Sequence, residues 1–243
     1  DVYKRQFLVW DDLLRCKWHW RRYRLQTKVV LFMNLALVGG GTVLFLLLER
    51  NNLGRGLPFG EQLLAALFDA VTPRTAGFNT TDTAALSSGS SLLTMVLMFI
   101  GGSPGSTAGG VKTTTVAVIF LHTIAGVRRE QCPSVFGRSI GDDALKKATS
   151  VFFTNLTLAL TGALVLCAVQ VLPLRDALFE TFSAIGTVGM TTGVTRSLTP
   201  LSQAVVIFLM YCGRVGSISF AVALMEKKAP PPVTLPRERI TIG

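Results

Sequence analysis

Two long apolar runs constrain this chain more than anything else in it. Residues 29–48 are apolar apart from Asn34, Thr42 and the triplet Gly39, Gly40 and Gly41, and residues 151–171 form a second run interrupted by Asn155 and several threonines. A helix needs roughly 20 apolar residues to cross a bilayer, and both runs are that long. Charged residues make up only 16% of the 243 residues, against about 25% in soluble domains. The shortfall lies in these runs rather than being spread evenly. The chain reads as a membrane protein, and a soluble enzyme is excluded.

The net charge of +10 raises nucleic acid as a partner, but its placement argues otherwise. One basic cluster, Arg15, Lys17, Arg21, Arg22, Arg24 and Lys28, precedes the first run. A second holds Arg128, Arg129, Arg138, Lys146 and Lys147, and a third Lys227, Lys228, Arg237 and Arg239. The alternate segments carry only Arg50, Arg55, Arg175 and Arg196. Basic residues that flank spans on one side mark the cytoplasmic face, so no nucleic-acid partner is expected. Cys16, Cys132, Cys167 and Cys212 show no CxxC spacing, and suggest neither a disulfide framework nor a zinc site. His19 and His122 are isolated and read as an interfacial and a helix residue.

Laying the apolar blocks side by side exposes an internal repeat. Each unit has a long span, a polar stretch, a short apolar segment, a glycine turn and a further apolar segment. The segment from Leu67 to Gly77 lies without gaps over that from Phe179 to Gly189, and Gly101 follows Gly77 at the same distance as Gly213 follows Gly189. The short segments, 62–71 and 176–185, cannot cross a bilayer and read as re-entrant. Irregular backbone at that depth survives only where it lines a cavity or is buried in protein. The expected organisation is as follows: 1–27, the end of a preceding span and a cytoplasmic linker; 28–127, one pore repeat whose last helix is split; 128–147, a cytoplasmic linker; 148–225, a second pore repeat; and 226–243, a cytoplasmic tail. Residues 1–6 resemble a translated adapter and are expected to be non-native, and the chain is expected to be truncated at its amino end.

The turns are Thr75-Ala76-Gly77-Phe78-Asn79 and Thr187-Val188-Gly189-Met190-Thr191. Extended backbone here would aim carbonyl oxygens at an axis, where they replace an ion's hydration shell. Glycine permits the backbone angles that this requires. Thr75, Ala76, Gly77, Phe78, Thr187, Val188, Gly189 and Met190 are therefore the candidate ion-binding residues. Asp69 and Arg74 flank the first turn and read as scaffold and electrostatic trim. Residues 101–110 hold five glycines and a proline, which no regular helix tolerates, so the span beginning near Leu92 is expected to break there. A phosphate-binding reading of Gly105 to Thr113 fails, because Val111 separates Gly110 from Lys112 and the preceding segment is not a strand opening a βαβ unit. Arg214 sits mid-span, where a charge is costly and usually faces a cavity or a partner; in the repeat alignment it falls beside Gly102. No residue set for bond chemistry is present, so no catalytic residue and no bound organic cofactor are expected.

These motifs resemble the Trk/Ktr/HKT superfamily of potassium transporters, and most of all the Ktr-type (KtrB-like) membrane subunit. The resemblance rests on residues 72–79, 101–115, 186–193 and 213–216, and extends over nearly the whole chain. Residues 237–243 also look like that family's natural terminus. It implies an all-α polytopic membrane protein, a pseudo-fourfold cation channel-like fold with four pore repeats, of which this chain would hold the third and fourth. Gly77 and Gly189 would be two of four filter glycines. Gly102, Ser103, Gly105, Ser106, Thr107, Gly109 and Gly110 would form an intramembrane gate, with Arg214 beside it. It further implies transported K+, Na+ as a possible coupling ion, a homodimer, and a cytosolic nucleotide-binding ring as regulatory partner, in a bacterial plasma membrane. Half a filter would not transport alone.

Overall fold

The helices follow the apolar blocks. In the computed structural model, which describes residues 9, 12, 23–50, 52, 57–104, 108–129, 134–136 and 138–216, the first long run forms helix α1, Leu25–Glu49. After α1 come α2 (Phe59–Val71), α3 (Ser88–Phe99) and α4 (Thr113–Val127). A short antiparallel hairpin, Ser134–Val135 with Arg138–Ser139, leads to α5 (Asp142–Val169), α6 (Leu174–Gly186) and α7 (Pro200–Val215). The fold is all-α, as the sequence implies. The tail 226–243, residues 1–6, and Gly105, Ser106 and Thr107 of the glycine-rich stretch lie outside the described residues.

Only α1 and α5 are long and apolar enough, among the described residues, to cross a membrane. A core helix of a soluble protein would pass the same length test but would be buried. Here Leu35 on α1 is 74% exposed and Leu164 on α5 is 69% exposed. Outward apolar side chains on a helix of this length belong in lipid or against further protein. α5 begins earlier than expected, at Asp142, because Asp142 and Asp143 occupy its first turn, where the helix dipole favours carboxylates. α1 has no capping side chain of its own. The buried Asp12 supplies one from outside, accepting from the Arg24 amide at 3.2 Å and the Thr27 hydroxyl at 2.7 Å.

The repeat is visible in the caps. Ser87 caps α3 by accepting the Ser90 amide, and Thr199 caps α7 by accepting the Ser202 amide. These pairs occupy matching places after Gly77 and Gly189. Each cap satisfies amides that the first helical turn leaves without partners.

Within each repeat the short helix packs on its long one, α2 on α1 and α6 on α5. Between repeats α3 packs on α6 and α4 on α5. Phe99, the last residue of α3, stands edge-on to both Phe152 of α5 and Phe182 of α6, with ring centroids 5.4 and 5.5 Å apart. Aromatic pairs of this geometry add about 0.5–1.5 kcal/mol each beyond the area that they bury. The two repeats thus interlock beside the break in the α3–α4 span.

Close backbone contact fixes α7 against α6. A Cβ on Gly213 would stand 2.2 Å from the Ile185 carbonyl oxygen. Gly39, in α1, would meet nothing within 4 Å. Gly213→Ala is expected to lower the thermal stability of the detergent-purified full-length protein by several degrees, and Gly39→Ala to leave the melt unchanged. Equal melts for both variants would show that the α6–α7 contact is looser than this.

Candidate functional site

Each short helix ends in a turn that sends its amides backwards. The Ala76 and Gly77 amides both donate to the Thr72 carbonyl at 3.1 Å. In the second repeat the Thr187 amide donates to Ala184 O at 3.1 Å and the Val188 amide to Ser183 O at 3.0 Å. The backbone signs also match. Thr75 and Gly77 have φ of 74° and 74°, and Thr187 and Gly189 have 53° and 89°, while Ala76 and Val188 between them keep negative φ. Left-handed φ is uncommon for a β-branched residue and costs of the order of 1–3 kcal/mol. Two threonines adopting it at matching places point to a constraint that both turns serve. The amides are thus tied to the helix ends; among the turn carbonyls, Phe78 O accepts the Thr72 hydroxyl.

The two turns touch. A Cβ on Gly77 would lie 2.2 Å from the Val188 carbonyl oxygen, so glycine is required there by contact as well as by conformation. The side chains of the second turn point into the protein: Val188 and Met190 are buried in a cluster with Met95, Met98 and Phe179. The first turn is different, for Phe78 is 71% exposed where its counterpart Met190 is 4% exposed. A Cβ on Gly189 would meet nothing within 4 Å.

The glycine-rich stretch closes on itself below these turns. Ile100 and Val111 form a parallel bridge, with the Gly101 amide on Val111 O at 2.9 Å and the Val111 amide on Phe99 O at 3.2 Å. The Thr113 amide reaches Gly102 O at 3.2 Å. The stem is therefore pinched, and Gly102, Ser103, Gly109 and Gly110 lie on it or just beyond it. Gly101 is held so close that a Cβ would come within 2.3 Å of Gly109 O. Both arms of the loop are tied to the turns. The Gly109 amide donates to Thr187 Oγ1 at 2.9 Å. On the other arm Asn34 Nδ2 donates to Ser103 Oγ at 3.3 Å, while Arg74 Nη2 donates to Asn34 Oδ1. Lys112 Nζ donates to the Ala108 carbonyl. Arg214 occupies the last turn of α7 rather than mid-helix, because Gly216 follows at φ 90° and ends the helix. It lies close enough to Lys112 for the two charges to repel.

The family model for TrkH, a cation transport protein, matches residues 23–230. The chain belongs to this family. It is 39% identical to the "Potassium/sodium uptake protein NtpJ" of Enterococcus hirae over 98% of this chain and 54% of that protein. It is 37% identical to the "Ktr system potassium uptake protein B" of Bacillus subtilis over 88% of this chain and 48% of that protein. Among solved structures, the potassium transporter TrkH from Vibrio parahaemolyticus superposes with a TM-score of 0.71 at 19% identity, covering 90% of this chain and 48% of that one. The chain spans about half the length of these relatives. The family is one of cation transporters, not enzymes.

Several polar groups of this TrkH-family chain bear on the site, and of these the sequence singles out only Asp69, as scaffold. Asn34 looks like a blemish in an apolar run, yet it joins Arg74 to Ser103. Glu180 in α6 is buried and accepts hydroxyl protons from Thr191 and Thr195. Asp69 in α2 accepts one from Thr81 at 2.9 Å. Arg175, at the start of α6, reaches the other repeat through Ser91 Oγ and Leu86 O, both at 2.9 Å. The signal that could have found Glu180 and Asp69 is an acid beyond the first turn of a short apolar helix, where the helix dipole no longer favours it.

The two turn glycines should differ in tolerance. Gly77→Ala meets a carbonyl and a left-handed φ, whereas Gly189→Ala meets only the φ, worth about 1–2 kcal/mol. Gly77→Ala is expected to reduce folded full-length protein more than Gly189→Ala does, measured by size-exclusion recovery and thermal melting in detergent. The reverse order would mean that the turns do not touch as described.

Proposed function

We propose that this chain supplies the third and fourth pore repeats of a four-repeat transporter that takes up potassium across the cell membrane. The observation that carries the reading is the pair of Thr-small-Gly turns, alike in backbone sign and in contact with one another at the ends of two short helices. Carbonyl oxygens of Thr75, Ala76, Gly77 and Phe78, and of Thr187, Val188, Gly189 and Met190, would replace water around a dehydrated cation. The other half of the ring would come from two further repeats, since this chain spans about half the length of its relatives. The names of those relatives, potassium uptake proteins of the Ktr system, support K+ as the ion. On this reading the basic segments and the carboxyl terminus face the cytoplasm, the transporter is a homodimer, and a cytosolic nucleotide-binding ring controls it.

A second reading, sodium as permeant or coupling ion, is favoured by the name of the Enterococcus relative, which includes both ions. Rubidium uptake by cells carrying the full-length gene, in a host lacking potassium uptake, separates the two. Growth at low potassium should be restored, with 86Rb+ uptake little affected by sodium in excess. Absence of growth with protein present in the membrane would overturn the potassium reading, and sodium flux exceeding rubidium flux would favour the second.

The glycine-rich loop, Gly102 to Gly110 with Arg214 beside it, would be the gate. Its closed form would be held by the Gly109 amide on Thr187 Oγ1. Removing an acceptor and leaving a buried amide unpaired costs about 1–3 kcal/mol. Thr187→Val keeps the β-branched shape but not the acceptor. It is expected to raise basal 86Rb+ uptake by about fivefold or more, and Thr187→Ser, which keeps the hydroxyl, to leave it near the starting value. Unchanged or reduced basal uptake in Thr187→Val would make the loop a structural plug rather than a gate.

A further inference from the structure

A carboxylate stands behind the second turn, in a place that the carbonyl filter does not need. Glu180 lies midway along α6 and is only 4% exposed. An ionised carboxylate at this depth is costly unless its oxygens are occupied. One of them, Oε1, is occupied by the segment that leaves the turn. Thr191 Oγ1 donates to Glu180 Oε1. Thr195 Oγ1 lies 2.8 Å from the same oxygen and 2.7 Å from Thr191 Oγ1, and it gives its one proton to either. The Gly193 amide donates to Thr191 Oγ1 at 3.0 Å. The Thr191 carbonyl in turn accepts the hydroxyl of Thr83, from the other repeat. Thr191, two positions beyond Gly189, is thereby held on all sides, and Glu180 is the anchor.

The first repeat makes a similar brace with different residues. Asp69 of α2 accepts the hydroxyl of Thr81, which also lies just beyond its turn glycine. In the gapless repeat alignment Asp69 falls opposite Thr181, not Glu180, and Thr81 opposite Gly193. The residues do not correspond by descent of position. What recurs is an acid on the short helix that captures a threonine hydroxyl on the outgoing strand.

We infer that Glu180 is a positioning residue for ion selection: as a hydrogen-bond acceptor for Thr191 and Thr195, it fixes the outgoing strand of the second turn and with it the direction of the Gly189 and Met190 carbonyls. It contacts no ion. Two hydroxyls of one strand reach the same oxygen, so a single buried acceptor can hold a strand that has no sheet or helix partner. The inference rests on the filter reading given above and names what keeps that filter in shape.

The test uses the full-length transporter in a host lacking potassium uptake, with 86Rb+ uptake measured against competing sodium. Glu180→Ala is expected to lower rubidium-over-sodium discrimination by about tenfold at normal membrane abundance, the size of one hydrogen bond lost. Glu180→Gln, whose carboxamide oxygen accepts the same hydroxyls, is expected to recover most of it. Discrimination unchanged in Glu180→Ala, or equally poor in Glu180→Gln, overturns the inference; the latter would make the charge the active feature, not the acceptor. Should Glu180→Ala fail to reach the membrane, Thr195→Val removes one donor and leaves the Thr191 pair intact. A smaller fall is then expected, and no fall overturns the inference. Gly189→Ser separates this failure from failure of the filter reading. If it lowers discrimination while Glu180→Ala does not, only the role of Glu180 is lost; if neither changes it, the filter reading itself falls.

Discussion

Backbone amides and carbonyls have no water to turn to inside a bilayer, and the two glycine turns and the broken span of this chain are shaped by that constraint. The turns at Gly77 and Gly189 would leave amides bare, so the chain folds them back onto the carbonyls that end α2 and α6. The break between α3 and α4 would leave both helix ends bare, so residues 100–102 and 111–113 bond to each other across a pinched stem. What these devices leave over is a set of carbonyl oxygens at the turns, apart from Phe78 O, which accepts the Thr72 hydroxyl. A structure that satisfies donors locally and leaves acceptors over is suited to a cation and unsuited to an anion.

Glycine is needed where two such backbones meet. Gly77 against Val188, Gly101 against Gly109 and Gly213 against Ile185 are each contacts in which a methyl group would collide with a carbonyl oxygen. They lie at the turn-to-turn contact, at the loop stem and where α7 crosses the end of α6. The loop meets the second turn through the Thr187 side chain, whose Oγ1 accepts the Gly109 amide. On the proposed reading, a moving loop would act on that turn through Thr187, which holds a left-handed conformation.

Much of this was legible in the sequence because membrane burial writes strong signals. The lengths of the apolar runs set α1 and α5, the short segments set α2 and α6, and the glycines of residues 101–110 set the break. The second-turn side chains were harder to read. Val188 and Met190 are candidate filter residues by their backbone, and nothing in their spacing shows that their side chains pack on Met95, Met98 and Phe179. Arg214 lies in an apolar stretch, and only the fold shows that Gly216, at φ 90°, ends α7 two residues later. Asn34 and Glu180 are hardest, since a polar residue in an apolar helix says that it has a partner without saying which. Those partners lie between 11 and 69 residues away in the chain, and only the fold brings them together.

The two repeats match in backbone and differ in side chains, and the difference has a physical sense. The second turn is backed by a buried cluster and by Glu180, so its outgoing strand is fixed within this chain. The first turn carries an exposed Phe78 in the place of the buried Met190, and its acid, Asp69, holds a threonine further along the strand. A large aromatic side chain exposed at membrane depth gains nothing from lipid that an aliphatic one would not, but it gains much from a closely packed protein face. On the proposed reading that face belongs to an adjoining repeat. The first turn would then be positioned from outside the chain, and the second, backed by its own cluster and by Glu180, from within it.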